Sequence, residues 1–209
     1  RTYQKQSRTQ FAKVPPMKLA TVLTPVSDEN LQLAAQCGVT DVVHRYPGKD
    51  AIVLKQAQER FAKFGLQLSV VEGYLPIENI KLGIDDGTEI DAMKLIIRQM
   101  ADLDIRLLCY NFMCGTDWCR TRLDAPARGG AKVTAFELAD AENAVRLGYS
   151  APNADSDAIA KRLTPDKLWQ QLERMLNELL PVAEECGVVL AMHPDDPPLP
   201  ELLGKPRIM

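Results

Sequence analysis

Histidine is nearly missing from this chain: His44 and His193 are the only two among 209 residues. Other shortages exclude whole classes of function. No apolar run approaches the roughly 18 residues that a membrane helix needs, so no membrane association is expected. Basic residues are not in excess: 25 Lys and Arg stand against 28 Asp and Glu, a net charge of −3 that argues against a nucleic-acid surface. No G-x-G-x-x-G follows any apolar run, which weakens a dinucleotide-binding reading. The five cysteines are an odd number with no secretory signal ahead of them. Reduced thiols in a cytoplasmic protein are therefore expected, not a disulfide framework. What is present, 46% hydrophobic and 25% charged residues, suits one globular domain with a substantial core.

The two ends are unusual. "RTYQKQSRTQFAKVPP" carries four basic residues and no acidic one. Residues 1–16 are read as a basic mobile tail, with a transit peptide as the lesser alternative. The closing "GKPRIM" has no helix after the last apolar run. Both ends are read as those of a fragment, with an incomplete domain over residues 17–209.

Within that domain one pattern repeats. A helical stretch ends at a glycine or a polar pair, and a short apolar run follows at once. "DENLQLAAQCG" leads to "VTDVVHRY", "AIVLKQAQERFAKFG" to "LQLSVVEGY", "EIDAMKLIIRQMADLD" to "IRLLCYNFM", and "PDKLWQQLERMLNELLPVAEECG" to "VVLAMHP". Gly38, Gly65 and Gly187 fall where a left-handed helix C-cap belongs. Together with "MKLATVLT" this predicts five parallel strands, apolar enough to be covered on both faces, alternating with helices. The order fits a doubly wound sheet or part of a (β/α)8 barrel. A complete barrel needs about 250 residues, so this chain would hold about five of its eight units. Residues 115–164, rich in Asp, Ala, Gly and Pro, read as a long insertion after the fourth strand, functional or disordered.

In parallel α/β folds the site lies at the C-terminal ends of the strands. Those ends carry His44-Arg45-Tyr46, Glu72-Gly73-Tyr74, Tyr110-Asn111-Phe112 and His193-Pro194-Asp195-Asp196. His193 is the leading candidate, because a neutral imidazole ligates divalent metals and titrates near neutral pH. The competing reading is a core histidine bonded to a loop. His44 precedes its strand end and could face the helices. Asp195 and Asp196, next to prolines, read first as turn formers. Cys109, Cys114 and Cys119 recur every five residues, which is not zinc-site spacing. Asp117, Trp118, Arg120 and Arg122 follow the fourth strand; an arginine there could grip a carboxylate and the tryptophan could face a sugar. His193 and Asn111 are expected to share one concavity.

Three separated stretches carry a specific resemblance. "LSVVEGYLPIENIKLG", "CYNFMCGTDWCRTRLD" and "LAMHPDDPPLPELLGKPRI" closely resemble the mannonate dehydratases, hydro-lyases of hexuronate (glucuronate) catabolism, and the likeness runs from about Met17 to the last residue. It implies a xylose-isomerase-like (β/α)8 TIM barrel, truncated here after about five β/α units. It implies dehydration of D-mannonate to 2-dehydro-3-deoxy-D-gluconate, with a divalent metal, Mn2+ or Fe2+, held by two histidines, a cysteine and an aspartate. His193 matches a metal-ligand histidine. Asn111, Trp118 and Arg120 match the loop that encloses the substrate. The family reads D-W-T-R-T where this chain has Cys119 in place of the first threonine, which bears on substrate preference. The other three ligands and the catalytic His and Tyr are implied to lie beyond Met209, so the 209 residues alone are expected to be inactive. The chemistry suits the residue types: a base takes the C2 proton, an acid protonates the departing C3 hydroxyl, and a cation stabilises the enediolate. The alternatives are a sugar isomerase or epimerase on the same barrel, or a non-catalytic truncated barrel; a homo-oligomer is left open.

Overall fold

Serine, aspartate and threonine side chains start three of the helices. In a computed structural model, which describes residues 17–147 and 154–209, the side chain of Ser27 accepts from Asn30 N at the start of α1 (Asp28–Gln36). Asp50 accepts from Ile52 N to open α2 (Ala51–Ala62). Thr164 accepts from Lys167 N to open α6 (Pro165–Cys186), with Pro165 at the first helical position, where no amide donor is needed. Gly38, Gly65 and Gly187 have φ of +83°, +72° and +64° just past three helix ends, as their positions predict. The long helices bury one stripe each. Ile90, Met93, Ile96, Ile97 and Met100 do so on α4 (Thr88–Asp102), and Leu168, Leu172, Met175, Leu179 and Val182 on α6.

Five strands form one parallel sheet: β1 (Ala20–Val22), β2 (Asp41–His44), β3 (Gln67–Glu72), β4 (Leu107–Asn111) and β9 (Val189–His193). Their order in the sheet is their order in the chain, β1-β2-β3-β4-β9. That decides between the two architectures. A doubly wound sheet reverses its strand order at a switch point, whereas successive right-handed crossovers in one direction put every helix on the same face and curl the sheet into a barrel. The five strands and their crossovers are arranged as part of a (β/α)8 barrel.

The register sorts the side chains. Leu107, Cys109 and Asn111 stand opposite Val189, Ala191 and His193, and Glu72 stands opposite Cys109. These residues point away from the helices and are only partly covered, whereas Leu68, Val71, Leu108 and Tyr110 are buried beneath α2, α4 and α6. The strands were expected to be covered on both faces. Among the described residues one face is covered, because a barrel interior is filled only by side chains from strands on its opposite wall.

The stretch after β4 is folded where it is described. β5 (Cys119–Arg120) pairs with β8 (Val145–Arg146), and β6 (Arg122–Pro126) pairs with β7 (Lys132–Ala135), both antiparallel. α5 (Ala154–Ala160) follows. One short helix, α3 (Glu78–Leu82), comes earlier in the chain, just before α4, and a hairpin of β10 (Glu201–Leu202) and β11 (Lys205–Pro206) follows β9. The expected tail over residues 1–16 lies outside the described residues. Among the described residues no helix is long and apolar enough to cross a membrane.

Candidate active site

The strand ends of β3, β4 and β9 and the loops after them enclose a cavity of about 180 Å³. Asn111, Trp118, Arg120 and His193 all line it, so the four residues singled out from the sequence are brought together. His44 does not join them. It shares the helix-facing side with its register partner Val71, meets Phe61 of α2 edge-on at 5.4 Å, and burial lowers its pKa.

His193 is held in one tautomer. Its Nδ1 lies 2.6 Å from the carbonyl oxygen of Pro194. A carbonyl only accepts, so Nδ1 is the donor of this contact, and in a neutral imidazole Nε2 is then the nitrogen with the free lone pair, the arrangement that metal-ligating histidines adopt. That donor fits a divalent metal as one ligand. A complete coordination sphere is not present: among the described residues no three of His, Cys, Asp and Glu gather in a metal-binding group. Cys109 also lines the cavity. Burial and the nearby Glu72 carboxylate push its thiol up to about 11, and burial pushes Cys114 up to about 12, so both are neutral thiols near pH 7.

Arg120 is already committed. Its Nη1 and Nη2 donate to Asp196 Oδ1 and Oδ2 at 2.8 and 2.7 Å, Nη1 also reaches Cys119 O at 2.8 Å, and Nε donates to Thr134 Oγ1 at 2.9 Å. Of the five guanidinium N–H groups, one remains. The fork that could have gripped a substrate carboxylate is spent on Asp196, so Arg120 is suited to one hydroxyl and not to a carboxylate clamp. Asp196, which read as a turn former, is therefore also a site residue. Its neighbour Asp195 is structural, accepting from the backbone of Ile208 and Met209. The guanidinium lies 4.9 Å over the Trp118 ring and occupies one of its faces.

Asn111 is oriented by groups that the sequence reading passed over. Its Oδ1 accepts from Lys81 Nζ at 3.1 Å and Met113 N at 3.2 Å, and its Nδ2 donates to Asp117 Oδ1 at 3.1 Å. One amide N–H is left for the cavity. Lys81 is 3% exposed and leans on Glu78, whose other oxygen accepts from Gly115 N at 2.7 Å. Gly115 has φ +65°, and a Cβ there would lie 2.8 Å from Ala160 Cβ, so only glycine fits. Arg207 is also missed: nearly buried, it donates from Nη2 to Thr116 Oγ1 and Asp117 O at 3.0 and 2.9 Å and ties the end of the chain to the loop carrying Trp118. The available signal was a lone cation between apolar neighbours, Lys81 between Ile80 and Leu82, which exposed lysines share in any amphipathic turn.

The model of the family described as D-mannonate dehydratase (UxuA) matches residues 23–209. The mannonate dehydratase of Bacillus subtilis (strain 168) is 32% identical over 201 residues, covering 85% of this chain and 56% of the relative. That of Thermotoga maritima is 33% identical over 185 residues, covering 78% and 50%. The crystal structure of mannonate dehydratase from Streptococcus suis serotype 2 superposes with a TM-score of 0.75 at 27% identity, covering 91% of this chain and 55% of that one. The chain spans about half the length of the curated relatives it matches.

Proposed function

The chain belongs to the D-mannonate dehydratase family, and from that premise we propose that it supplies one wall of the site in a metal-dependent hydro-lyase that converts D-mannonate to 2-dehydro-3-deoxy-D-gluconate. The observation that carries the reading is His193, its Nδ1 held by the Pro194 carbonyl so that Nε2 is the nitrogen left to ligate, beside Asn111 on the neighbouring strand and on the wall of the cavity. A divalent cation, Mn2+ or Fe2+, with His193 as one ligand supplies positive charge beside the substrate carboxylate as the C2 proton leaves.

The other residues bind and orient. Asn111 donates its remaining amide N–H to a hydroxyl, with Lys81 and Asp117 preventing rotation of the amide. Arg120 offers its one remaining N–H to a second hydroxyl, held in place by Asp196. Trp118 closes the loop side and keeps water from the reacting carbons. Proton transfer is assigned to no residue of this chain. The reading includes a cytoplasmic setting.

The test is His193→Ala in the intact protein, with metal content by elemental analysis and turnover of D-mannonate measured together. Both are expected to fall, turnover by about 100-fold or more. Arg120→Ala is expected to keep its metal and lose substrate affinity or turnover. Full metal occupancy and near-native turnover in His193→Ala would remove His193 from the site.

A further inference from the structure

On the cavity wall formed by the ends of β2 and β3 sits an ion pair that the reading above leaves without a task. Arg45 Nη1 lies 2.9 Å from Glu72 Oε1, and both line the cavity beside Tyr74. The guanidinium lies 5.6 Å over the Tyr74 ring. Gly73 has φ +68°, and a Cβ there would come within 3.1 Å of Arg45 Nη1, so the guanidinium lies close against the backbone at this glycine. Unlike Arg120 on Asp196, the pair is joined through a single contact. Among the described residues Arg45 Nε and Glu72 Oε2 make no further hydrogen bond. A donor edge and an acceptor oxygen are thus left side by side at the cavity wall.

Their position along the sheet matters. Glu72 ends β3 and His193 ends β9, with only β4 between them, a separation of about 10 Å at ordinary strand spacing. That is the scale of an extended six-carbon acid. We propose that the Arg45–Glu72 pair reads the tail of the substrate: Arg45 donates to its terminal hydroxyl and Glu72 accepts from it, a match to a group that is both acceptor and donor. This rests on the dehydratase reading, which puts the acid end of the substrate at His193. A second carboxylate at the tail meets the negative charge of Glu72, and a tail methyl leaves the remaining Arg45 donors and Glu72 Oε2 without a partner.

The experiment uses the intact protein loaded with Mn2+ and three substrates: D-mannonate, its 6-deoxy analogue, and the six-carbon dicarboxylate of the same configuration. The native protein is expected to prefer D-mannonate over both by at least about 10-fold in kcat/KM, mainly through KM. Glu72→Gln, which keeps size and removes the charge, is expected to shrink the preference over the dicarboxylate about 10-fold. Arg45→Lys is expected to raise KM for D-mannonate, hold kcat, and narrow the preference over the 6-deoxy acid. No preference in the native protein, a comparison that needs no variant, overturns the assignment. So does an unchanged preference in Glu72→Gln, which makes the pair a fastening of the fold alone. Failure of the native protein to dehydrate D-mannonate overturns the dehydratase reading itself, and the assignment falls with it.

Discussion

Lys81 shows how a buried cation can serve a site without touching its ligand. Its ammonium group is bonded to Asn111 Oδ1, and the same short helix supplies Glu78 to balance the charge. Lys81→Met replaces the cation with an apolar side chain of similar length. Removing one partner of a buried pair strands the other charge, here Glu78, at a cost of about 3–5 kcal/mol, so the thermal midpoint is expected to fall by about 10 °C. The amide of Asn111 is then held by Met113 N and Asp117 alone, and kcat/KM for D-mannonate is expected to drop by about 10-fold, or 1.4 kcal/mol, with metal content unchanged. A loss of metal alongside activity would show that Lys81 supports the fold of the whole site and not one amide. Thermal scans, elemental analysis and kinetics on the same preparation decide it.

Three elements meet at one carboxylate. Asp157 on α5 bonds Lys205 of β11 at 2.5 Å and Lys161 at 2.9 Å, with Arg146 of β8 at 3.7 Å. Hydrogen bonds from Lys205 first, then Lys161, pull its carboxyl down to about 2. A depressed carboxylate stabilises the folded state above its unfolded value of roughly 3.9, and that contribution is lost as pH falls through the folded value. The difference in stability between the native protein and Asp157→Asn is therefore expected to be constant from neutral pH to about 4 and to vanish near pH 2. Urea midpoints across that range measure it. A difference that persists at pH 2 would mean that the packing of α5, not its charge, fastens the hairpin.

At the scale of the molecule, the sheet has two open edges among the described residues. Leu19 and Val22 at β1 and Val189 at β9 are 53%, 37% and 60% exposed, and the outer edge of each strand has no partner in the sheet. Unpaired edges with apolar neighbours template association. A polypeptide of these 209 residues alone is expected to self-associate in light scattering and to show no turnover of D-mannonate with added Mn2+. A monodisperse monomer that dehydrates D-mannonate would mean that the cavity is complete as described.

The βα alternation was legible because it is local. Helix caps such as Ser27 and Thr164, left-handed glycines such as Gly187, and the apolar run ending at His193 act over a few residues and leave a mark in the sequence at the same place. Placing His193 and Asn111 at strand ends was enough to put them in one cavity, since parallel strands present all their C-terminal ends together. What only the tertiary structure decided is which side chains are already taken. Arg120 finds Asp196 across 76 residues, Lys81 finds Asn111 across 30, and Arg45 finds Glu72 across 27. Such pairings are set by strand register and by the order of strands in the sheet, neither of which has a period along the chain. Arg120 therefore read as able to grip a carboxylate, Arg45 as one polar group at a strand end with no partner named, and Lys81 was not singled out, until the sheet placed their partners beside them.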